Sequence, residues 1–218
     1  MKFYPINLDI ENKSCVVIGG GQVALRKIRG LLVAGAIVKV IAPEICAGVE
    51  ELFQRGEIFL IRENFSPELL SDEIILIAAT DNPAINQAAA RVAQEKKILV
   101  NVVEGADGNF TVPSKILRGE LLLTISTGAN SPAFSKFLRQ MLEAELGENF
   151  ATGLELIARK RQEVKKILPN HTARKIFWQQ VLTQEVWKFL KSGQLNELEA
   201  KINYALESFG FESQDSPY

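Results

Sequence analysis

Short apolar runs alternate with amphipathic stretches along the first half of the chain. The apolar runs predict buried strands at residues 14–18, 37–42, 72–79 and 98–103, with a further apolar run at 58–61. The stretches between them predict helices at residues 22–34, 48–54 and 83–95. Continuous apolar strands separated by helices are typical of a parallel sheet that is covered on both faces. The first half therefore predicts an α/β fold.

The pattern changes at about Pro113. Residues 117–127 predict a hairpin-like turn and one more strand, and Ser131-Pro132 predicts a helix start. Apolar side chains at helical spacing follow, which favours a core or a partner interface: Phe134, Phe137, Leu138, Met141 and Leu142. Residues 149–209 predict helices that break near 168–170 and 191–193. The second half is therefore predicted to be mainly helical.

Composition narrows the classes of protein. The 218 residues have a net charge of -1, which gives no support to bulk attraction to nucleic acid or to a membrane surface. No apolar run approaches the roughly 18 residues of a membrane span, and the first residues do not predict a signal peptide. The two cysteines, Cys15 and Cys46, form neither a metal-type pair nor a disulfide framework, which suits the cytoplasm.

Three consecutive glycines stand between the first predicted strand and the first predicted helix. Gly19-x-Gly21-x-x-Ala24 has the spacing of a dinucleotide-binding turn. In such a turn the first glycine allows the tight bend, the second lets the backbone approach a pyrophosphate, and the small third residue packs the helix on the strand. The helix start offers free N–H groups to phosphates. An ordinary structural turn is the alternative, but the position between strand and helix favours nucleotide binding.

Other polar residues follow the predicted strands, where ligands of parallel sheets bind. Glu44, after Ala42-Pro43, stands near the place of an acid that bonds a ribose, and the absence of an arginine directly after this strand favours NAD over NADP. Asp81 or Asn82 before Pro83 is an ordinary helix cap, and capping is favoured for Asp81, while Thr80 lines the cofactor site by position.

A carboxylate, Glu104, follows Asn101-Val102-Val103 at the end of the last predicted strand. It would face the same crevice and act as a base toward a bound substrate. A solvated loop acid near Asp107 is an equally good interpretation from spacing alone.

These residues together resemble a known family. The matching strings include residues 15–27, 32–36, 41–43, 78–82, 101–103, 110–113, 118–119, 125–132 and 159–166, with Asn86 and Phe177-Trp178. They resemble the N-terminal family of siroheme synthases, whose members are NAD-dependent precorrin-2 dehydrogenases, some of them also sirohydrochlorin ferrochelatases. The resemblance implies the stand-alone form, without a methyltransferase domain. The family usually has aspartate where this chain has Glu104, so Glu104 as the catalytic base is a hypothesis.

The resemblance implies three parts and a homodimer. These are an NAD-binding Rossmann domain at 1–113, a small mixed dimerisation segment at 114–148 and a helical domain at 149–218, with the active site between the parts of intertwined subunits. The reaction oxidises precorrin-2 to sirohydrochlorin, and NAD accepts the hydride. Residues predicted to bind the cofactor are Gly19, Gly20, Gly21, Gln22, Val23, Ala42, Pro43, Glu44, Thr80 and Asp81.

Precorrin-2 carries eight carboxylates, so cationic groups are expected around its cleft. Residues predicted to bind the substrate are Asn101, Lys115, Arg118, Thr127, Ser131, Lys136 and Arg139. No cluster has the spacing of a metal site, and dehydrogenation alone is favoured, with ferrous or cobaltous ion as a chelatase substrate left open. A regulatory module that senses NAD without turnover is the alternative function.

Overall fold

The computed structural model describes residues 3–103, 107–128 and 130–212, with side chains described up to residue 209. The chain forms two compact units, Met1–Val112 and Pro113–Tyr218. The boundary between the units lies next to the predicted boundary after residue 113, and the further division of the second part at residue 148 stays a prediction. In the described residues, no helix combines the length and the apolar character that crossing a membrane requires.

A five-stranded parallel sheet forms the first unit. Its strands are β1 Ser14–Ile18, β2 Ile37–Ile41, β3 Ile58–Ile61, β4 Ile75–Ala78 and β5 Leu99–Val102. They lie in the order β3-β2-β1-β4-β5, and every neighbouring pair is parallel. The predicted α/β fold with a parallel sheet is confirmed. β2 and β3 lie on one side of β1, and β4 and β5 lie on the other. Because the strand order reverses at β1, a crevice for ligands opens between β1 and β4.

Three helices cover the two faces of this sheet. They are α1 Gln22–Val33, α2 Ala47–Gln54 and α3 Pro83–Glu95. Cys15 and Val17 of β1 pack in the core layer of α1 and α2, while Val16 and Ile18 pack in the layer of α3. Successive side chains of a strand point to opposite faces, so a strand between two layers must be apolar throughout. This explains the continuous apolar runs of the sequence.

The strand predicted at 72–79 is shorter in the structure, because Glu73 has another role. Its carboxylate is buried, forms an ion pair with Lys39 and accepts the Ser71 N–H at 2.8 Å. Lys39 also donates to the Leu69 carbonyl at 2.6 Å. These polar contacts hold the chain as a loop before β4 begins at Ile75.

The second unit is a hairpin followed by helices, as predicted. The hairpin pairs β6 Ser114–Arg118 with β7 Leu121–Ile125. The helices are α4 Pro132–Glu145, α5 Asn149–Ile167, α6 His171–Val181, α7 Gln184–Ser192 and α8 Leu195–Glu212. Phe177, Leu198 and Ile202 are fully buried in the core of the last four helices.

Candidate functional site

A cavity of about 790 Å³ opens at the carboxyl ends of the parallel strands. All ten residues predicted to bind the cofactor line it. They come from the turn after β1, the connection after β2 and the connection after β4. The parallel sheet brings these three segments together because its strands all end at the same edge.

The first two glycines of the turn are required by the packing of the protein itself. Gly19 has φ +116°, and a Cβ there would lie 2.4 Å from the Ala79 carbonyl oxygen. A Cβ on Gly20 would lie 2.3 Å from the Glu44 carbonyl oxygen. Both distances are far below van der Waals contact. The turn therefore fits directly against the chain that follows β2 and the chain that follows β4.

Gly21 differs, because nothing in the protein requires a glycine there. Its backbone is extended, with φ -79° and ψ -173°, and an added Cβ would meet no atom within 4 Å. Gly21 is also the N-cap of α1 and offers no side chain to the first-turn N–H groups. The open space beside Gly21, called the cradle here, adjoins the cavity and the positive end of a helix. These features fit the pyrophosphate of a dinucleotide.

The charge of the cavity wall is negative. Glu44 and Asp81 line it, and in the described parts of the chain no lysine, arginine or histidine does so. Carboxylates accept hydrogen bonds from ribose hydroxyls and repel a further phosphate on the ribose. The wall therefore favours a dinucleotide without a 2′-phosphate.

Asn64 and Phe65 also line the cavity, although sequence reasoning missed them. They follow β3, the apolar run at 58–61. Recognising that run as a third strand of the same parallel sheet would have pointed to the residues after its carboxyl end. Phe65 is half-buried and gives this end of the cavity an aromatic surface.

A second cavity of about 430 Å³ lies beside the first, at the ends of β4 and β5. The two cavities share Val23 of α1 and the segment from Ala79 to Asp81. Val102, Val103 and Asp107 line the second cavity alone. The two cavities are therefore neighbours that share part of their wall, and together they are called the crevice here.

The cap of α3 is Asn82, and the favoured assignment to Asp81 was wrong. The Asn82 side chain accepts the N–H groups of Ala84, at 2.9 Å, and of Ile85, at 3.4 Å. Asp81 is exposed and lines both cavities instead. Either residue satisfies the sequence pattern before Pro83, and the backbone conformation decides between them.

Glu104, the predicted catalytic base, lies outside the described residues. Asn101, three residues before it, is buried and lines neither cavity. Its Nδ2 donates to the Phe110 carbonyl at 3.1 Å, and its Oδ1 accepts from Lys27 Nζ at 3.4 Å. Burial lowers the pKa of Lys27, and the neighbouring charge of Arg26 lowers it further. Asn101 thus has partners within the protein, and its substrate contact stays a prediction.

The other predicted substrate ligands lie in the second unit, and most of them have structural partners. Arg118 donates to the Leu146 carbonyl at 2.8 Å and lies 3.3 Å from the Glu148 carboxylate. These contacts bind the carboxyl end of α4. Arg139 forms an ion pair with Glu143 on the same helix. Lys115 and Lys136 are exposed and available to an anionic ligand.

Thr127 and Ser131 bind each other at the start of α4. The Thr127 hydroxyl accepts the Ser131 N–H at 3.2 Å, and the Ser131 hydroxyl accepts the Phe134 N–H at 3.2 Å as the N-cap. Their substrate contacts also stay predictions. In the described residues, no three His, Cys, Asp or Glu side chains lie together as a metal site would require.

Comparisons with known proteins agree with this geometry. Residues 6–114 match the family model described as putative NAD(P)-binding, and residues 154–206 match the sirohaem synthase dimerisation region. The second match lies in the part predicted as a helical domain, after the predicted dimerisation segment at 114–148.

Two siroheme synthases are among the similar proteins. That of Photorhabdus laumondii is 33% identical over 95% of this chain and 44% of its own length. Siroheme synthase 2 of Yersinia enterocolitica is 36% identical over 85% of this chain and 39% of its own length. This chain spans less than half the length of these relatives. The solved structure of SirC, precorrin-2 dehydrogenase, has a TM-score of 0.76 and 26% identity, covering 93% of this chain and 100% of SirC. The chain therefore belongs to the family of precorrin-2 dehydrogenase and the N-terminal region of siroheme synthases.

Proposed function

We propose that this chain is a dehydrogenase that oxidises precorrin-2 to sirohydrochlorin with NAD+. The observation that carries the proposal is the cradle at Gly21, which opens onto a cavity lined by every residue predicted to bind the cofactor. The likeness to SirC over almost the whole chain supports the substrate. Fold alone would not do so, because parallel sheets of this type serve many functions.

Different residues of the crevice bind different parts of NAD+. The N–H groups at the start of α1 bind the pyrophosphate, since Gly21 leaves them open to the cavity. Glu44 accepts a hydrogen bond from the adenosine ribose. The second cavity, beside Val102 and Val103, receives the nicotinamide half. When bound, NAD+ supplies the acceptor for the hydride that leaves the substrate.

Glu104 is proposed to accept the proton that the substrate loses. This role rests on the sequence: Glu104 directly follows Val103, which lines the second cavity, and it stands where the family usually has aspartate. A carboxylate is suited to proton transfer if it reaches the reacting carbon, and its longer side chain changes that reach by about one bond.

Anaerobic incubation with enzymatically made precorrin-2 and NAD+ tests the proposal. The absorbance of NADH should rise together with that of sirohydrochlorin, and the rise should depend on both reactants. Binding of NAD+ without any turnover would instead support the alternative, a regulatory module that senses NAD.

Exchanging the charge at Glu44 should change the choice of cofactor. We expect Glu44→Arg to bind NADP+ about tenfold more tightly and NAD+ more weakly, because a guanidinium pairs with the 2′-phosphate that the carboxylate repels. Glu44→Gln is the matched control, since it removes the charge and keeps the size. Dissociation constants for both cofactors give the measurement, and an unchanged preference in Glu44→Arg would contradict the assignment.

Bound NAD+ should protect Cys46 from alkylation. Cys46 lines the cavity and is half-buried, whereas Cys15 is fully buried in β1. Burial raises the pKa of the Cys15 thiol to about 11, so at pH 8 only about one thousandth of it is thiolate. Cys15 should therefore stay unlabelled in the folded protein and serve as the internal control. Equal labelling rates of Cys46 with and without saturating NAD+ would place the ligand elsewhere.

A homodimer is proposed from the apolar face of α4. Phe134, Phe137 and Met141 lie on this helix and are each about half exposed, and the two phenylalanine rings stack with centroids 6.1 Å apart. An exposed apolar stripe of this kind is typical of an interface. The match of residues 154–206 to a dimerisation region supports the same oligomeric state.

Acidic substitutions on this stripe should weaken the dimer. We expect Phe137→Glu with Met141→Glu to raise the dimer dissociation constant at least about a hundredfold, because both charges would lose their hydration in the interface. Gln140→Glu on the same helix adds a charge outside the stripe and is the control. Light scattering after gel filtration measures the mass, and an unchanged dimer would exclude the stripe as the interface.

Metal insertion into sirohydrochlorin is the less favoured activity. Incubating sirohydrochlorin with ferrous or cobaltous ion, with and without the protein, tests it through the shift of the Soret band. A protein-dependent acceleration would show chelatase activity beside dehydrogenation.

A further inference from the structure

The segment Thr80-Asp81 forms the wall that the two cavities share. It follows β4, and the Ala79 carbonyl just before it lies directly against Gly19. A displacement of this segment would chiefly change the boundary between the two cavities. The position of Thr80 is therefore important for any ligand that occupies the whole crevice.

Asn86 holds Thr80 by three hydrogen bonds. Its Oδ1 accepts the Thr80 backbone N–H at 3.1 Å and the Thr80 hydroxyl at 2.7 Å, and its Nδ2 donates to the Thr80 carbonyl at 2.9 Å. Asn86 lies in α3 and is only 5% exposed, so little water competes for these bonds. One side chain thus binds both backbone polar groups and the hydroxyl of Thr80.

These bonds are not needed to begin the helix, because Asn82 already caps α3. Asn86 also lines the second cavity, at its boundary with the shared wall. An apolar residue of similar size would fill the same space without fixing Thr80. The function of the Asn86 amide is therefore to hold the loop at Thr80, and α3 does not need it.

We propose that Asn86 is a positioning residue for NAD+, which fixes the wall between the sites of its two halves. The inference rests on the proposed function and assigns a role within it. NAD+ spans both cavities and depends on the shape of their boundary. AMP, which carries the adenosine half alone, occupies the first cavity and depends on this boundary far less.

Calorimetry with NAD+ and AMP tests the role of Asn86. We expect Asn86→Asp and Asn86→Ala to bind NAD+ about tenfold more weakly and AMP within about twofold of the parent, since the bonds to Thr80 are weakened or lost. Asn86→Asp keeps the size and the acceptor, and it replaces the donor with an oxygen that faces the Thr80 carbonyl. Ala93→Gly destabilises the same helix away from both cavities and should change neither affinity.

Two results would overturn the inference while leaving the proposed function in place. One is a folded Asn86→Asp variant that binds NAD+ as the parent does. The other is an equal loss of affinity for NAD+ and AMP. A parent protein that binds no NAD+ would instead overturn the proposed function, and this inference with it.

Hydrogen exchange of the parent gives a measurement that needs no variant to fold. The Thr80 amide should exchange slowly, because it donates to the buried Asn86 side chain. Bound NAD+ should slow it further. A Thr80 amide that exchanges as fast as an unprotected loop amide would contradict the role of Asn86.

Discussion

Replacing Gly21 with aspartate should abolish NAD+ binding and leave the protein at least as stable as the parent. The extended backbone of Gly21 and the open space beside it admit a side chain without strain. Aspartate is a favourable N-cap, so α1 should gain a few tenths of a kcal/mol. The same carboxylate would occupy the first-turn N–H groups and repel the pyrophosphate. We expect the affinity for NAD+ to fall at least about a hundredfold.

Gly20→Ala is the contrasting variant. Its Cβ would lie 2.3 Å from the Glu44 carbonyl oxygen and 2.9 Å from the Ile45 Cα, which are backbone atoms that cannot simply turn away. We expect a loss of about 2 kcal/mol or more in the free energy of unfolding, because overpacking forces the backbone to move. Thermal denaturation and NAD+ titration of the two variants distinguish a ligand site from a structural turn. If Gly21→Asp binds NAD+ as tightly as the parent does, the pyrophosphate does not bind beside Gly21.

Glu104→Ala should lower kcat for precorrin-2 by a factor of about 100 to 10,000, the usual contribution of a positioned general base. The affinity for NAD+ should stay within about twofold, because the pyrophosphate is proposed to bind at the start of α1 and not at Glu104. Single-turnover formation of NADH under anaerobic conditions measures the loss directly.

Two further variants at this position separate charge from reach. Glu104→Gln keeps the size without the basic carboxylate and should be as slow as Glu104→Ala. Glu104→Asp restores the residue usual in the family and should retain turnover. Full activity of Glu104→Ala would show that the proton leaves to another group or to solvent.

The glycine turn beside the first cavity could be predicted because the residues that indicate it lie close together in the sequence. Gly19, Gly21 and Ala24 are close in the sequence, and their spacing reflects a single turn between one strand and one helix. The structure adds that Gly19 and Gly20 are required by the packing of the protein, whereas Gly21 is the one of the three at which a side chain would meet no protein atom. Spacing cannot separate these reasons, because they depend on the chain that follows β2 and β4.

The substrate side could not be predicted in the same way. Asn101 stands in a suggestive string, yet its partners, Phe110 and Lys27, come from other parts of the chain. Arg118 is similar, since its guanidinium binds the end of a helix that begins 14 residues later. A sequence shows which groups can bind an anion, but the fold determines which of them are already engaged.

The contact of Gly20 with the backbone after β2 has a consequence for redesign. The Glu44 carbonyl lies against Gly20, and the Cys46 N–H donates to the Gly20 carbonyl at 2.9 Å. Both contacts involve main-chain atoms, so they constrain the length and path of this connection and leave its side chains free. Point mutations in this connection are therefore compatible with the fold, whereas grafting a longer or shorter connection from another protein would dislodge the glycine turn.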